Sequence, residues 1–400
     1  MSTPTRAPDA PGPDGRRAPA PTTPDHRPAG PAPTPGTAQD DRHRPPPAPT
    51  TPDDDSAGPA PTPGTARVGR ATPAAAPVAG SRLPVAYVLP LRWADDGGLP
   101  GLTGYLRWLS ARVEVTVVDG SPPELFHRHR SAWRGLVRHL PPDPALRGVN
   151  GKVTGVLTGV GAARHEHVVI ADDDVRYDEA GLRAVHRLLD RVDLVRPQNY
   201  FDPLPWHAWW DTGRTLLNRA LGADYPGTLA VRRSTFLAMG GYDPNVLFEN
   251  LELIRTVRAY GGTEAAPAWL HVRRLPPDTG HFLGQRVRQA YDDLAQPARL
   301  VASLAVLPAL AAAVAARRPG LLLGAAATTV ALAEAGRRRG GGVEVFPPST
   351  ALAAPLWVLE RGTCSWFAVG RRLLFGGVRY AGGRVRRAAH FERTLRHHRR

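Results

Sequence analysis

The sequence predicts an α/β domain, a Rossmann-like sheet flanked by helices, set between a proline-rich tail and an apolar helical region. Three observations carry that expectation. Short β-branched runs alternate with helix-length stretches between residues 85 and 296. Residues 1–80 hold 21 of the 43 prolines and no Leu, Ile, Phe, Trp or Tyr. After Arg299 the chain turns rich in Ala and Leu.

Residues 1–80 cannot bury enough apolar surface to offset the entropy of ordering them. "TTPD" recurs at 22 and 50 and "AGPAPTPGTA" at 29 and 57, a spacing of 28. A period of that size suits a solenoid, but these units have no apolar face to stack, so a duplicated disordered tail is expected. Its 8 Arg balance its 8 Asp, which places the whole formal excess of +15 in residues 81–400.

The α/β part, 81–298, follows. "VAYVLPL" (85–91), "VEVTVVDG" (113–120), "HVVIAD" (167–172) and "VDLVRPQ" (192–198) have strand length. Helices are expected over 99–112, 150–163 and 178–191, the last with Leu182, Val185, Leu188 and Leu189 on one face. Alternation of this kind implies a mostly parallel sheet, and ligands bind beyond the carboxyl ends of its strands. Pro90, Asp119 and Asp172 stand at three such ends. Further on, 205–221 reads as a helix, 227–233 as a strand, 247–261 as a helix closed by Gly261 and Gly262, 265–275 as a strand and 282–296 as a helix. Trp206, Trp209 and Trp210 suit an apolar helix face with Leu216 and Leu217; stacking against a ligand is the other reading. The "GGYD" turn at 240–243 reads as structural, its glycines supplying backbone conformation.

Residues 300–316 and 320–333, within a region spanning 299–336, are apolar and separated by "RRPG". A bilayer span takes about 20 apolar residues, with roughly 17 as the lower limit, so the first is marginal and the second short. Arginines at both borders place the pair in or against a membrane, with a buried helical hairpin as the alternative. Arg317 and Arg318 between two spans would lie outside, against the positive-inside tendency, which leaves the topology open. The last region, 337–400, is aromatic and basic; residues 371–400 carry 10 Arg against one acid, Glu392. Such a run suits anionic lipid or solvent. No nucleic-acid motif accompanies the charge, so a nucleic-acid partner is not expected. The single cysteine, Cys364, excludes an intrachain disulfide and fits a reducing compartment. The N-terminal stretch has no apolar run of the secretory kind, so the α/β part is expected to face the cytoplasm at the cell membrane.

The stretch "HVVIADDDVRYD" raises the chemical question. Asp172, Asp173 and Asp174 close a buried strand, and adjacent carboxylates repel one another. Water, Arg176 or a divalent cation are the candidates that relieve them. In a D-x-D at a strand end the outer two can face one crevice, the usual environment of Mg²⁺ or Mn²⁺ with phosphate oxygens. An acidic turn capping the helix near Asp178 is the structural alternative.

In order along 83–296, "VLPLR", "VTVVDGS", "NGKVTGVLTGVG", "VVIADDDV", "TLAVRRSTFLAMGGYD", "FENLELIRT" and "QRVRQ" resemble the family 2 glycosyltransferases, membrane-associated bacterial members among them. The resemblance implies the glycosyltransferase type A fold with a mixed sheet, and an inverting transfer of a sugar from a nucleoside diphosphate, most simply UDP, to the hydroxyl of a lipid or glycan acceptor. It implies that Pro90 and Arg92 border the nucleobase and that Asp119 meets the uridine. It makes Asp172 and Asp174 the pair that holds the metal and diphosphate, with Asp173 beside them in the nucleotide-sugar site. Lys152, at a helix start, is a candidate for contact with the nucleotide, since cations and helix N-termini both favour phosphate. The family's base is an acid in a Glu-Asp pair, which here reads Glu249-Asn250. Glu249 and Glu252 are then the candidate bases, sharing a helix face at i and i+3. "QRVRQ" matches a Gln-x-x-Arg-Trp element through Gln285 and Arg288, with Gln289 in place of the tryptophan. Asn250 also supports a rival reading, a catalytically weakened or inactive membrane scaffold.

Overall fold

The computed structural model describes residues 82–380 and 383–397; the tail expected over 1–80 lies outside the described residues. In chain order the elements are β1 (Val85–Leu91), α1 (Leu99–Ser110), β2 (Glu114–Asp119), α2 (Pro123–Ala132), β3 (Arg138–Leu140), α3 (Gly151–Ala162), β4 (His167–Ala171), β5 (Val175–Arg176) and α4 (Glu179–Leu189). Then follow β6 (Leu194–Val195), β7 (Gln198–Phe201), α5 (Trp206–Leu221), β8 (Thr228–Arg232), α6 (Arg233–Ala238), α7 (Glu249–Tyr260), β9 (Glu264–Ala265), β10 (His271–Arg274) and α8 (Thr279–Tyr291). A 3₁₀ turn, Asp292–Ala295, leads into α9 (Pro297–Ala315), α10 (Pro319–Arg338) and α11 (Ala354–Phe375), and the chain ends in β11 (Val378–Tyr380), β12 (Gly383–Val385) and α12 (Glu392–His397).

The architecture is mixed α/β. Seven strands form one sheet in the order β3-β2-β1-β4-β8-β6-β9. The expected parallel arrangement holds for β1 with β2 and β4, and for β2 with β3. It breaks at β8, which runs antiparallel to both β4 and β6. Between β4 and β8 the chain passes through β6 and then leaves for the small sheet at β7, so β8 enters from α5 and not by a direct crossover from β4. A second, three-stranded sheet, β5-β10-β7, sits beside it. The expected strand 192–198 is in fact two, because the chain leaves the large sheet at β6 and enters the small one at β7.

Helices cover both faces of the large sheet. Leu102, Leu106 and Leu109 of α1 pack with Leu182, Val185 and Leu189 of α4 on one face. Val153, Val156 and Val160 of α3 pack with Ile254 and Val257 of α7 on the other. Both faces of β1 are therefore buried, which is why it reads as a continuous apolar run.

The C-terminal helices are built onto this body. α10 lies against α5 so closely that a Cβ at Gly336 would overlap the Leu216 carbonyl oxygen. α11 packs on both α5 and α8. The chain then joins the backbone just before α7, with Leu247 N–H donating to Arg387 O and Phe248 N–H to Ala388 O. α9 and the helical stretch from Pro319 to Glu344 are each long and apolar enough to cross a membrane, and only 11% of the apolar window of each is buried. Val301, Val314, Leu321 and Leu323 face outward. Within the chain itself this hairpin is mostly exposed rather than buried.

Candidate active site

The ends of β1 and β4, the N-terminal turns of α3 and α7, β10 and the inner face of α8 surround a cavity of about 820 Å³. Pro90, Arg92, Lys152, Asp172, Asp173, Asp174, Glu249, Gln285 and Arg288 all line it, so most of the residues singled out from the sequence converge on one space.

The three aspartates sit in the turn between β4 and β5, and each has a different partner. Lys152 Nζ lies 2.6 Å from Asp172 Oδ1. Arg274 Nε donates to Asp174 Oδ2 at 2.8 Å, with its other end 3.8 Å from Asp172 Oδ2. Trp93 Nε1 donates to Asp173 Oδ2 at 2.5 Å. Arg176, the sequence's candidate, instead donates to the carbonyls of Asp173 and Val175. Nor do the three cap α4: that role falls to Asp178, whose side chain accepts from Gly181 N–H. Position 227 is crowded by this arrangement. A Cβ there would stand 3.0 Å from Asp172 Oδ2 and 3.2 Å from the Arg274 guanidinium carbon.

Lys152 is placed by local structure. Asn150 caps α3, its side-chain oxygen accepting from Lys152 N–H, and its amide nitrogen donates to Val246 O. The ammonium spans Asp172 and Glu249, the latter at 2.8 Å. Burial works against the ammonium, yet the two carboxylates outweigh it and raise the Lys152 pKa well above the ordinary lysine range. Glu249 shows the converse. Burial raises its pKa, but Lys152 first and Arg288 after it bring the net shift below the usual glutamate value. The candidate base is thus held ionised and committed to a cation.

Two further expectations meet a different structure. Glu252 does not reach the cavity; it is fully buried and accepts from both the backbone N–H and Nδ1 of His390. The i, i+3 relation to Glu249 holds, but the cavity edge runs between the two, and the returning C-terminal segment takes Glu252. Asp119 stands behind the wall. It is 1% exposed, with Oδ2 accepting from His129 and His139 and Oδ1 from Ser121 N–H. Its neighbour Gly120 lines the cavity in its place.

The remaining residues of the site were only partly signalled. Asn250 lines the cavity and donates to Pro226 O at 2.8 Å. On α8, Arg288 donates to Gln285 Oε1 at 2.8 Å and lies over the Tyr380 ring at 4.6 Å. Gln289 accepts from Arg286, which also reaches Asp211 and Glu360. Trp206 is 54% exposed, and none of Trp206, Trp209 and Trp210 lines the cavity; His207 and Ala208 from the same helix do. Of the three tryptophans only Trp210 packs near Leu216 and Leu217. Gly240 and Gly241 take positive φ of 73° and 70°, as the GGYD turn requires. Arg274, Tyr380 and Asp292 also line the cavity and were missed. Asp292 carried one legible signal, its i+4 spacing from Arg288.

No protein-family model matches the chain, and no curated protein matches it. Solved structures do resemble it. A mannosyltransferase, PcManGT from Pyrobaculum calidifontis, in complex with GDP-Man and Mn²⁺, is 17% identical, covers 74% of this chain and 77% of its own, and gives a TM-score of 0.41. TarS of S. aureus (residues 1–349) with UDP-GlcNAc is 10% identical, with 50% of this chain and 60% of its own covered, at 0.37. Glucosyl-3-phosphoglycerate synthase of Mycobacterium tuberculosis, with Mn²⁺, UDP and glucosyl-3-phosphoglycerate, is 16% identical, with 53% and 78% covered, at 0.35. Scores of this size leave the chemistry to be read from the residues themselves.

Proposed function

We propose that the chain is a type A, family 2 glycosyltransferase that moves a hexose from a nucleoside diphosphate, in the simplest case UDP, to an acceptor hydroxyl with inversion. The observation that carries this reading is the convergence of Asp172 and Asp174 with Lys152, Arg274 and Arg288 on one cavity. Carboxylates for a cation and cations for phosphate oxygens are the two halves of a diphosphate site. Pro90 and Arg92 then border the nucleobase, and Gln285 with Arg288 stands across the cavity at the diphosphate.

The residues fit a divalent ion. Asp174 Oδ1 is buried with no hydrogen-bond partner, a lone pair aimed where no protein donor meets it. Asp172 and Asp174 would hold Mg²⁺ or Mn²⁺. The ion would supply charge stabilisation to the departing diphosphate. Lys152 and Arg274 each pair with one of the two carboxylates, so the site is organised before ligand arrives.

A membrane-presented acceptor is supported by the outward-facing apolar helices α9 and α10 and by α11, where Trp366, Phe367, Leu373, Leu374 and Phe375 are exposed near Arg371 and Arg372. Because α11 packs directly on α8, a lipid surface held there lies next to the helix that carries Gln285 and Arg288. That arrangement supports a lipid or lipid-linked glycan acceptor, and the reading takes the catalytic domain to be cytoplasmic. The inactive-scaffold reading draws on Asn250, whose amide is spent on Pro226 O. Release of nucleoside diphosphate from UDP-glucose, UDP-GlcNAc or GDP-mannose in the presence of Mn²⁺ separates the two. Turnover that disappears in Asp174→Ala supports the transferase; nucleotide binding without turnover supports the scaffold.

A further inference from the structure

We propose that Asp292 is the general base that takes the proton of the acceptor hydroxyl, an assignment that rests on the glycosyltransferase reading above.

The positions nearest the expected base are already occupied. Asn250 has no carboxylate, Glu249 holds Lys152 and Glu252 holds His390. Asp292 lines the same cavity, one helical turn beyond Arg288, so the two side chains share the face of α8 that looks inward. No hydrogen bond or ion pair from the described residues engages its carboxyl, which opens to the cavity. The adjacent carboxylate has the opposite fate. Asp293 is 1% exposed and is taken by Arg299 at 3.1 Å, Ser303 at 3.4 Å and Arg361 at 3.7 Å. As neighbours on a helical turn the two side chains point to different sides, one to a structural ion pair and one to the cavity.

The electrostatic setting suits a base. Burial raises the Asp292 pKa, and Glu249 on α7 and Asp293 beside it add to the effect. Arg288 on α8 and Arg361 on α11 oppose it, and the net result is pushed up to about 8. Glu249, against Lys152, is displaced downward. Two carboxyls in one cavity with pKa values driven apart is the arrangement that divides roles between an electrostatic group and a proton-transfer group. A base with a pKa near the working pH combines adequate ionisation with real proton affinity.

In the step itself, ionised Asp292 accepts the acceptor's hydroxyl proton as that oxygen bonds to the anomeric carbon. The bond from the anomeric carbon to the β-phosphate oxygen breaks, and its electron pair leaves with the nucleoside diphosphate. Protonated Asp292 then returns its proton to water. No oxidant, reductant or further co-reactant is needed.

The test compares wild type with Asp292→Asn, Asp292→Glu and Glu249→Gln. The probes are UDP-glucose, UDP-GlcNAc and GDP-mannose with Mn²⁺, water serving as acceptor, with nucleotide affinity measured alongside. Asp292→Asn is expected to keep wild-type nucleotide affinity, lose about 100- to 10,000-fold in turnover and lose the rising limb of the pH–rate profile. Asp292→Glu restores part of the rate. Turnover of Asp292→Asn equal to wild type, with the limb intact, overturns the assignment, as does a loss of nucleotide affinity that matches the loss of rate. If wild type neither binds nor cleaves any of the donors, the transferase reading itself fails, and this assignment falls with it.

Discussion

Two carboxylate clusters flank β1, one at the end of β2 and one at the end of β4, and the protein uses them in opposite ways. At β2, Asp119 is sealed: His129 Nδ1 at 2.7 Å, His139 Nε2 at 3.0 Å and Ser121 N–H at 2.9 Å satisfy both of its oxygens. His129 is held from its other side by Asp96, which in turn pairs with Arg128. At β4, Asp172 and Asp174 open to the cavity, each with a single close cation, and Asp174 Oδ1 is left spare. Both are acidic strand ends in a parallel arrangement, where ligands are expected. What separates them is saturation. A carboxylate whose lone pairs are filled by its own chain stabilises a fold, whereas one with a lone pair left over can bind something else.

The largest effect that bears on this contrast is at Asp174. Asp174→Ala removes the spare ligand atom and is expected to abolish Mn²⁺-dependent release of nucleoside diphosphate. The ion's charge stabilisation is worth several kcal/mol, about 100-fold or more in rate. The folded state should barely change, since the Asp174–Arg274 pair is partly exposed and such pairs contribute about 0–1 kcal/mol. Asp119→Asn is expected to invert the pattern. It leaves His129 and His139 beside an amide in a buried site, where the loss of a buried hydrogen-bond partner costs about 1–3 kcal/mol. Urea unfolding reads that loss. A stable Asp119→Asn protein that no longer binds Mn²⁺ would break the contrast.

A smaller effect is the dependence on pH. Burial alone would raise Asp119, but hydrogen bonds from His139, Ser121 and His129 outweigh it and hold its carboxyl well below the usual range. A group depressed in the folded state contributes stability above its unfolded pKa, about 3.9 for Asp, and loses it as pH falls further. Wild type should therefore lose stability below that pH more steeply than Asp119→Asn. Equal slopes in acid unfolding would mean that the histidine cage does not hold the carboxylate.

The sequence showed one side of each cluster and hid the other. Pro90, Asp119 and Asp172 were legible as strand ends because β-branched runs of the right length stop there. Their partners were not, because they come from far along the chain. Arg274 reaches Asp174 only through the pairing of β10 with β5, and β5 is two residues long, too short for a periodic signal. The same holds for Glu252, whose helix face was read correctly while His390, 138 residues away, was invisible. Antiparallel β8 left no mark either, since a buried strand reads alike in both directions. Residues that line the cavity were found by local pattern, but whether they are free to bind was decided by long-range contacts that a pattern does not contain.

The finest discrimination comes from Trp93, which touches both clusters. Its indole N–H donates to Asp173, and its ring meets His129 edge-on with centroids 5.4 Å apart. Asp119, His129 and His139 bring three ligand atoms within 4.8 Å of one another, so by proximity alone they compete with the β4 cluster for a metal. Saturation argues against them, because Asp119 Oδ2 already accepts from both rings. Mn²⁺ is paramagnetic and quenches a nearby indole, so the Trp93 share of the fluorescence reports an ion at either place. The change is small, one tryptophan among nine, and the difference between wild type and Trp93→Phe isolates it. Quenching that survives His139→Gln but vanishes in Asp174→Ala places the ion at β4. The reverse outcome would show that the buried cluster opens to take metal, and that the lone pairs counted as filled at β2 are the available ones.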